Sequence, residues 1–251
     1  MKAQYENIKN DIDSSISNVL NDTAFIGGKY VKKFEEEFAE YHQAKHCVGV
    51  ANGTDGLEIV LEALNLPKNS EIIVPSNSFI STAEAVTRSG HKVIFCDCDK
   101  DNYTISIPSL KSKITKNTKA IMAIHIAGWP CEMDIIQEIC KEHNLYLIED
   151  CAQAHGAKYN NQSVGSFGDI NAWSFCQDKI MSTAGEGGMV TTNNKQLWEK
   201  VWSFKDHGKN YDTVYNKEHP PGFRWLHEDH GTNARLTEIQ SAIGRLQLRK
   251  L

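Results

Sequence analysis

The chain of 251 residues lacks any apolar run long enough to cross a membrane, and Met1-Lys2-Ala3-Gln4-Tyr5-Glu6 does not start a signal peptide. No membrane insertion and a cytoplasmic location are therefore expected. A basic excess is also missing. With 27 Lys+Arg against 32 Asp+Glu, the net charge of −5 offers no field for a nucleic-acid backbone or an anionic membrane. The local basic run Lys111 to Lys119 reads as a solvated connection from helix to strand. Paired zinc-like spacings are absent as well. Cys96-Asp97-Cys98-Asp99 has no second ligand pair and reads as a strand end, and His227-Glu228-Asp229-His230 lacks the zinc-protease helix spacing and reads as loop. No metal is expected. The seven cysteines are odd in number and scattered, which suits a reducing compartment, with Cys47, Cys96 and Cys140 as small buried hydrophobes. The GxGxxG fingerprint of a dinucleotide site does not occur, so a nicotinamide enzyme finds little support.

What is present is the composition of an ordinary globular protein, 40% hydrophobic and 24% charged. Val31, Phe34, Phe38 and Tyr41 recur at helical spacing and predict a helix over 28–42. Short apolar runs then alternate with helical patterns. Strands are expected at 46–50, 71–74, 92–96, 120–126, 145–148 and 188–192, and helices at 54–64, 79–89, 132–143, 194–204 and 235–251. Continuous apolar strands separated by helices predict an α/β fold whose mostly parallel sheet is covered on both faces. Residues 207–233, rich in His, Gly, Pro, Asn and Asp around Pro220-Pro221-Gly222, predict a long irregular segment of the functional kind. His207, Arg224 and His227 are candidate ligand contacts there. The last helix is still amphipathic at Leu251, without a cap, as though cut before its natural end.

Ligands of doubly wound sheets collect outside the carboxyl ends of the strands, and three groups fall at such ends. Asn52-Gly53-Thr54-Asp55-Gly56 joins a strand to a helix whose N-terminus can receive a phosphate; a plain helix cap accounts for the same residues. Asp150 follows the run Leu145 to Glu149, and a carboxylate at that depth needs a partner such as a protonated pyridine nitrogen, unless it only caps the next turn. Gln153 can direct its amide toward the phenolic oxygen of such a ring. Ser174 and Lys179 form the third group. A lysine amine becomes a covalent catalyst through a Schiff base if part of its population is neutral, although most lysines are surface residues. Gly185-Glu186-Gly187-Gly188 permits a tight turn beside it. Phe79 can stack on a ring face or simply fill core.

The order and spacing of several stretches resemble the DegT/StrS-type sugar aminotransferases, enzymes of the aspartate-aminotransferase (type I) fold that use pyridoxal 5'-phosphate (PLP). The stretches are Phe25-Ile26-Gly27-Gly28, Ala51-Asn52-Gly53-Thr54-Asp55-Gly56-Leu57, Glu149 to Gly156, Ser174 to Lys179 with Gly185 to Gly188, and Gly231 to Gln240. The resemblance implies a three-layer sandwich in which 1–206 is the PLP-binding large domain with an N-terminal helical segment. It further implies that 207–233 is a long loop at the active site, and that 234–251 starts the helix leading to a C-terminal small domain that is apparently missing. Lys179 is implied to bind PLP and shuttle protons, and Asp150 to pair with the pyridine nitrogen. Gln153 would contact the phenolic oxygen, Phe79 would stack, and Thr54, the amide of Asp55, and Ser174 would hold phosphate. Asn233 would reach the phosphate of a neighbouring subunit, which implies a homodimer. The implied reaction moves an amino group from L-glutamate to a nucleotide-linked keto-deoxysugar, with the 4-keto-6-deoxyhexose class ahead of 3-keto sugars. The setting would be amino-sugar biosynthesis for lipopolysaccharide or another antigen. Some relatives carry histidine in place of the lysine and act as dehydratases; Lys179 favours transamination. A PLP- or sugar-nucleotide-binding regulator is the rival reading.

Overall fold

Period-two alternation along the strands divides the apolar residues into two layers on either side of one sheet. The computed structural model describes residues 2–219 and 227–251; Pro220-Pro221-Gly222 and Arg224 lie outside the described residues. Three helices come first, α1 (Lys2–Asn7), α2 (Lys9–Asp22) and α3 (Lys29–Tyr41). Then follow β1 (His46–Val50), α4 (Gly53–Leu64), β2 (Glu71–Pro75), α5 (Ile80–Arg88), β3 (Lys92–Cys96), α6 (Ile107–Lys113) and β4 (Thr118–Ile124). The second half contains α7 (Met133–His143), β5 (Tyr146–Asp150), a small hairpin of β6 (Lys158–Tyr159) and β7 (Gln162–Ser163), β8 (Ile170–Ser174) and β9 (Gly188–Thr192). The remaining helices are α8 (Lys195–Lys205), α9 (Tyr211–Tyr215) and α10 (Glu238–Leu248).

The main sheet has seven strands in the order β1-β9-β8-β5-β4-β2-β3. The five from β8 to β3 are parallel neighbours, and β9 runs antiparallel to both β8 and β1. Val48, Val50, Ile72, Val74, Ala120, Met122, Ile148, Ala172 and Val190 face one way, into a core closed by α4, α5 and α8. Cys47, Trp173 and Met189 face the other way, against Phe34 and Phe38 of α3 and Leu248 of α10. Ile73, Ile121, Ala123 and Leu147 share that second face, under α6 and α7. This is the expected α/β sandwich with a mostly parallel central sheet. Each strand residue that changes parity changes layer, because successive side chains of a strand point to opposite faces.

Helix ends follow the local chemistry. The Asn52 side chain accepts the Asp55 amide and caps α4, and Thr237 with Gln240 makes a full capping box at α10. The first turn of α3 is capped from far away: the buried Glu238 carboxylate accepts the amides of Gly28, Tyr30 and Val31, each at 2.9 Å.

Some elements differ from expectation. The strand anticipated at 120–126 ends at Ile124, because Ala127 takes a left-handed conformation (φ 51°) in a single 3-10 turn over Ile126–Gly128. The helix anticipated at 235–251 starts at Glu238, since Ala234 and Arg235 are extended beside the end of β1, where Ala51 N–H donates to the Ala234 carbonyl. Inside the segment expected to be irregular, Tyr211–Tyr215 is helical, capped by Asn210 and anchored by Tyr211 against Trp198 and Trp202.

Candidate functional site

The carboxyl ends of the parallel strands share one edge of the sheet. Ile124 is level with Asp150, Asp150 with Ala172, and Gly188 with both Ser174 and Val50. The three anticipated groups therefore arrive on one edge: the start of α4 after β1, Asp150 at the end of β5, and Ser174 with Lys179 after β8. Ser174 and Asp150 also have the parity of Ala172 and Ile148, which puts both on the α4 and α5 face.

The start of α4 lies against Ser174. A Cβ added at Gly53 would come within 2.6 Å of the Ser174 Cβ, and one added at Gly188 within 2.6 Å of the Asn52 carbonyl oxygen. Only glycine lets these three chain segments close up, and the closure sets the Ser174 hydroxyl beside a helix N-terminus, where dipole and amides favour an anion. Ser174 Oγ accepts the Cys176 amide at 3.3 Å and keeps its own proton to donate. The Asp55 amide, anticipated as a phosphate donor, is engaged by Asn52 Oδ1 at 2.8 Å.

Asp150 is 7% exposed. Its Oδ1 accepts the Ala152 amide at 3.1 Å and its Oδ2 the Thr82 hydroxyl at 3.1 Å. Burial pushes its acid equilibrium upward; the Ala152 amide and the Thr82 hydroxyl oppose that, and so does the nearby charge of Lys179. Lys179 is thus near enough to act on Asp150, although its ammonium pairs with Asp178 at 3.3 Å. The Lys179 side chain is 21% exposed. The loop carrying it is tied back on itself, with Phe175 N–H to the Gly187 carbonyl, Gln177 N–H to Gly185 and Lys179 N–H to Cys176.

Around this centre Phe79 sits at the N-cap of α5, 70% exposed, rather than in the core. Gln153 Oε1 accepts the Ala127 amide at 2.7 Å, which leaves its amide nitrogen, an obligate donor, as the remaining polar group. Asn233 is exposed, and its Oδ1 accepts Arg235 Nε at 2.9 Å. No hydrogen bond joins it to Thr54 or Ser174 of its own chain among the described residues. His207 and His227 pair with each other through His227 Nδ1 and the His207 carbonyl.

Sequence reasoning missed two groups. Thr82 lies one helical turn after Phe79, and that spacing is the signal that would have found it. His125 follows the end of β4, the same kind of position as Asp150. Its Nε2 is 2.9 Å from Glu149 Oε2, and its Nδ1 accepts the Cys131 amide, so both ring nitrogens are engaged. Glu149 also accepts the amides of Gly165, Phe167 and Gly168. His125, Glu149 and Cys151 offer ligand atoms within 4.8 Å of one another. The lone pairs of the first two are already spent on these internal bonds, which makes the trio a structural network.

Comparison with known proteins identifies the family. The profile of the DegT/DnrJ/EryC1/StrS aminotransferase family matches residues 6–251. A GDP-perosamine synthase from Escherichia coli O157:H7 is 41% identical over 221 residues, covering 88% of this chain and 58% of that protein. Among solved structures, an aminotransferase from Psychrobacter cryohalolentis superposes with a TM-score of 0.93 at 48% identity, over 95% of this chain and 61% of the other. DesV of S. venezuelae, solved with a ketimine intermediate, superposes at 0.90 with 33% identity, over 99% and 64%. The chain thus spans about three-fifths of the length of the relatives it matches.

Proposed function

Starting from the fact that this chain belongs to the DegT/DnrJ/EryC1/StrS aminotransferase family, we propose that it carries the PLP site of an aminotransferase. That enzyme moves an amino group from L-glutamate to a nucleotide-linked keto-deoxysugar. The observation that carries the reading is the pairing of a buried carboxylate, Asp150, with a half-hidden lysine, Lys179, at the one sheet edge that also holds a helix N-terminus and a serine hydroxyl. The residues fit the cofactor. Asp150 is buried with two neutral donors and no cation at ion-pair distance among the described residues, so a protonated pyridine nitrogen completes it.

When bound, PLP supplies an aldehyde that condenses with amines and a ring that stores the electron pair of a broken C–H bond. The chain supplies the rest. Asp150 accepts from the ring nitrogen and keeps it protonated, Gln153 donates to the phenolic oxygen, and Phe79 covers one ring face. Thr54, the Asp55 amide and Ser174 hold the phosphate, the amide being shared with Asn52. Neutral Lys179 takes a proton at Nζ from one carbon and returns it to the other. Asn233 serves the site of a partner subunit in a homodimer, which is supported by its exposure and by exposed apolar side chains, Phe79, Ile80, Trp129 and Ile180, on the site side of the sheet. Segment 207–233 borders the sugar, and the large domain extends over 1–206. The acceptor is a 4-keto-6-deoxyhexose in cytoplasmic synthesis of an antigen sugar, in keeping with the GDP-perosamine synthase among its relatives.

The test is Lys179→Ala. The unaltered protein is expected to show the visible absorbance of lysine-bound PLP, and the variant to lose it. With L-glutamate and GDP- or dTDP-linked keto sugars, mass spectrometry of the products is expected to find the amino sugar only with Lys179 present. An unchanged spectrum in the variant overturns the assignment.

A further inference from the structure

Thr82 spends its hydroxyl unusually. Threonines inside helices commonly return their proton to the carbonyl one turn back, as Thr87 of the same helix does to Ala83. Thr82 Oγ1 instead donates to Asp150 Oδ2 at 3.1 Å, across from α5 to the end of β5. The Ser78 hydroxyl lies 2.7 Å from Thr82 Oγ1. A carboxylate only accepts, so the single Thr82 proton is committed to Asp150, and Ser78 is the donor to Thr82. A directed relay results, from Ser78 through Thr82 to Asp150. It is built on the same helix start that presents Phe79, so one element carries both the ring-covering side chain and the hydroxyl that holds the carboxylate.

We infer that Thr82, fed by Ser78, is a positioning residue that locks the orientation of the Asp150 carboxylate and holds it in its charged form for a cationic ring nitrogen. The groups facing Asp150 are few. Lys179 reaches it from the β8–β9 loop and His125 from the end of β4, Cys151 is next in sequence, and Glu149 points to the opposite sheet face. Burial works against the anion, and after the Ala152 amide the Thr82 hydroxyl is the next largest influence preserving it. Removing the Ala152 amide takes a proline, which also constrains the chain, and that leaves Thr82 as the adjustable support. The inference rests on the PLP reading for its purpose, but not for the bond itself.

Three variants test it: Thr82→Val, which keeps shape and removes the hydroxyl, Thr82→Ser, which keeps the hydroxyl, and Ser78→Ala. The first readout is the titration of the Asp150 carboxyl in the PLP-free chain by carbon-detected NMR, with Asp150→Asn to assign the signal. Thr82→Val is expected to move that titration up by roughly one pH unit, Ser78→Ala to move it less in the same direction, and Thr82→Ser to leave it in place. The second readout is PLP affinity from visible absorbance, expected to fall about ten-fold in Thr82→Val and to recover in Thr82→Ser. An unmoved titration in Thr82→Val, or an equal shift in Thr82→Ser, overturns the relay. Should Thr82→Val not fold, the direction of the Ser78→Ala shift decides. If the unaltered chain binds no PLP while the titration shifts as stated, the relay stands and the cofactor reading falls.

Discussion

Glu149 and Asp150 are adjacent, equally charged and both buried, yet the chain treats them oppositely. One residue of strand register sends Glu149 to the α6 and α7 face. There three loop amides and His125 saturate it, and it pins residues 165–168 to the sheet. Asp150 goes to the other face, receives one amide and one hydroxyl, and keeps open lone pairs at the sheet edge. The histidines repeat the contrast. His125 has both ring nitrogens engaged, whereas the buried His155 has only the Ser174 backbone beside its ring, outside ordinary hydrogen-bond geometry. A saturated buried group holds the fold together, and an unsaturated one is a place waiting for a ligand or a liability.

The sharpest way to break the first contrast is Glu149→Ala. It strands three amides and a histidine in the interior, and is expected to cost roughly 3–5 kcal/mol in urea unfolding. A loss below 1 kcal/mol would mean that the network is not structural. Asp150→Asn should behave in the reverse manner. Unfolding free energy of the PLP-free chain is expected to stay within about 1 kcal/mol, while amino transfer falls about a hundred-fold or more. If the two variants lose stability equally, the division between holding and binding carboxylates is wrong.

The histidines give a smaller, pH-dependent effect. Burial depresses His42 to about 3 and His155 to about 4, from an ordinary 6.5. Both are therefore neutral when folded and protonated when unfolded at mildly acid pH. Their contribution is complete above the unfolded value and is lost as pH falls toward the folded ones, at about 1.4 kcal/mol per pH unit for each. Glu35, raised to about 7 by burial, acts in the opposite sense over part of that range. Thermal unfolding between pH 7 and 5 should show a slope that flattens in His155→Phe. An unaltered slope would show that this histidine is not neutral in the fold.

Legibility of the site followed strand ends. Asp150, Ser174 and Gly53 were readable as candidates because each follows an apolar run and ligands of such sheets collect at those ends, and Lys179 by the glycines that follow it. Thr82 was hidden because it looks like any threonine in an amphipathic helix, and only the packing of α5 against α4, β2 and β3, which brings its first turn to the end of β5, gives it a carboxylate. Glu149 was read as part of a motif, but its role depends on which face it meets. The link between the Gly27-Gly28 stretch and Glu238 is similar. Over 200 residues of chain separate the α3 amides from the carboxylate that caps them.

By itself, then, the sequence determined the alternation of strand and helix, the cap of α4, and which residues stand at the carboxyl ends of strands, because these depend on side-chain period and short-range hydrogen bonding. Only the tertiary structure decided the strand order, the antiparallel β9 that brings Gly188 against Asn52, the face each carboxylate meets and the hydroxyl that reaches Asp150. Those are contacts between distant segments, set by which surfaces bury one another, and no local pattern encodes them.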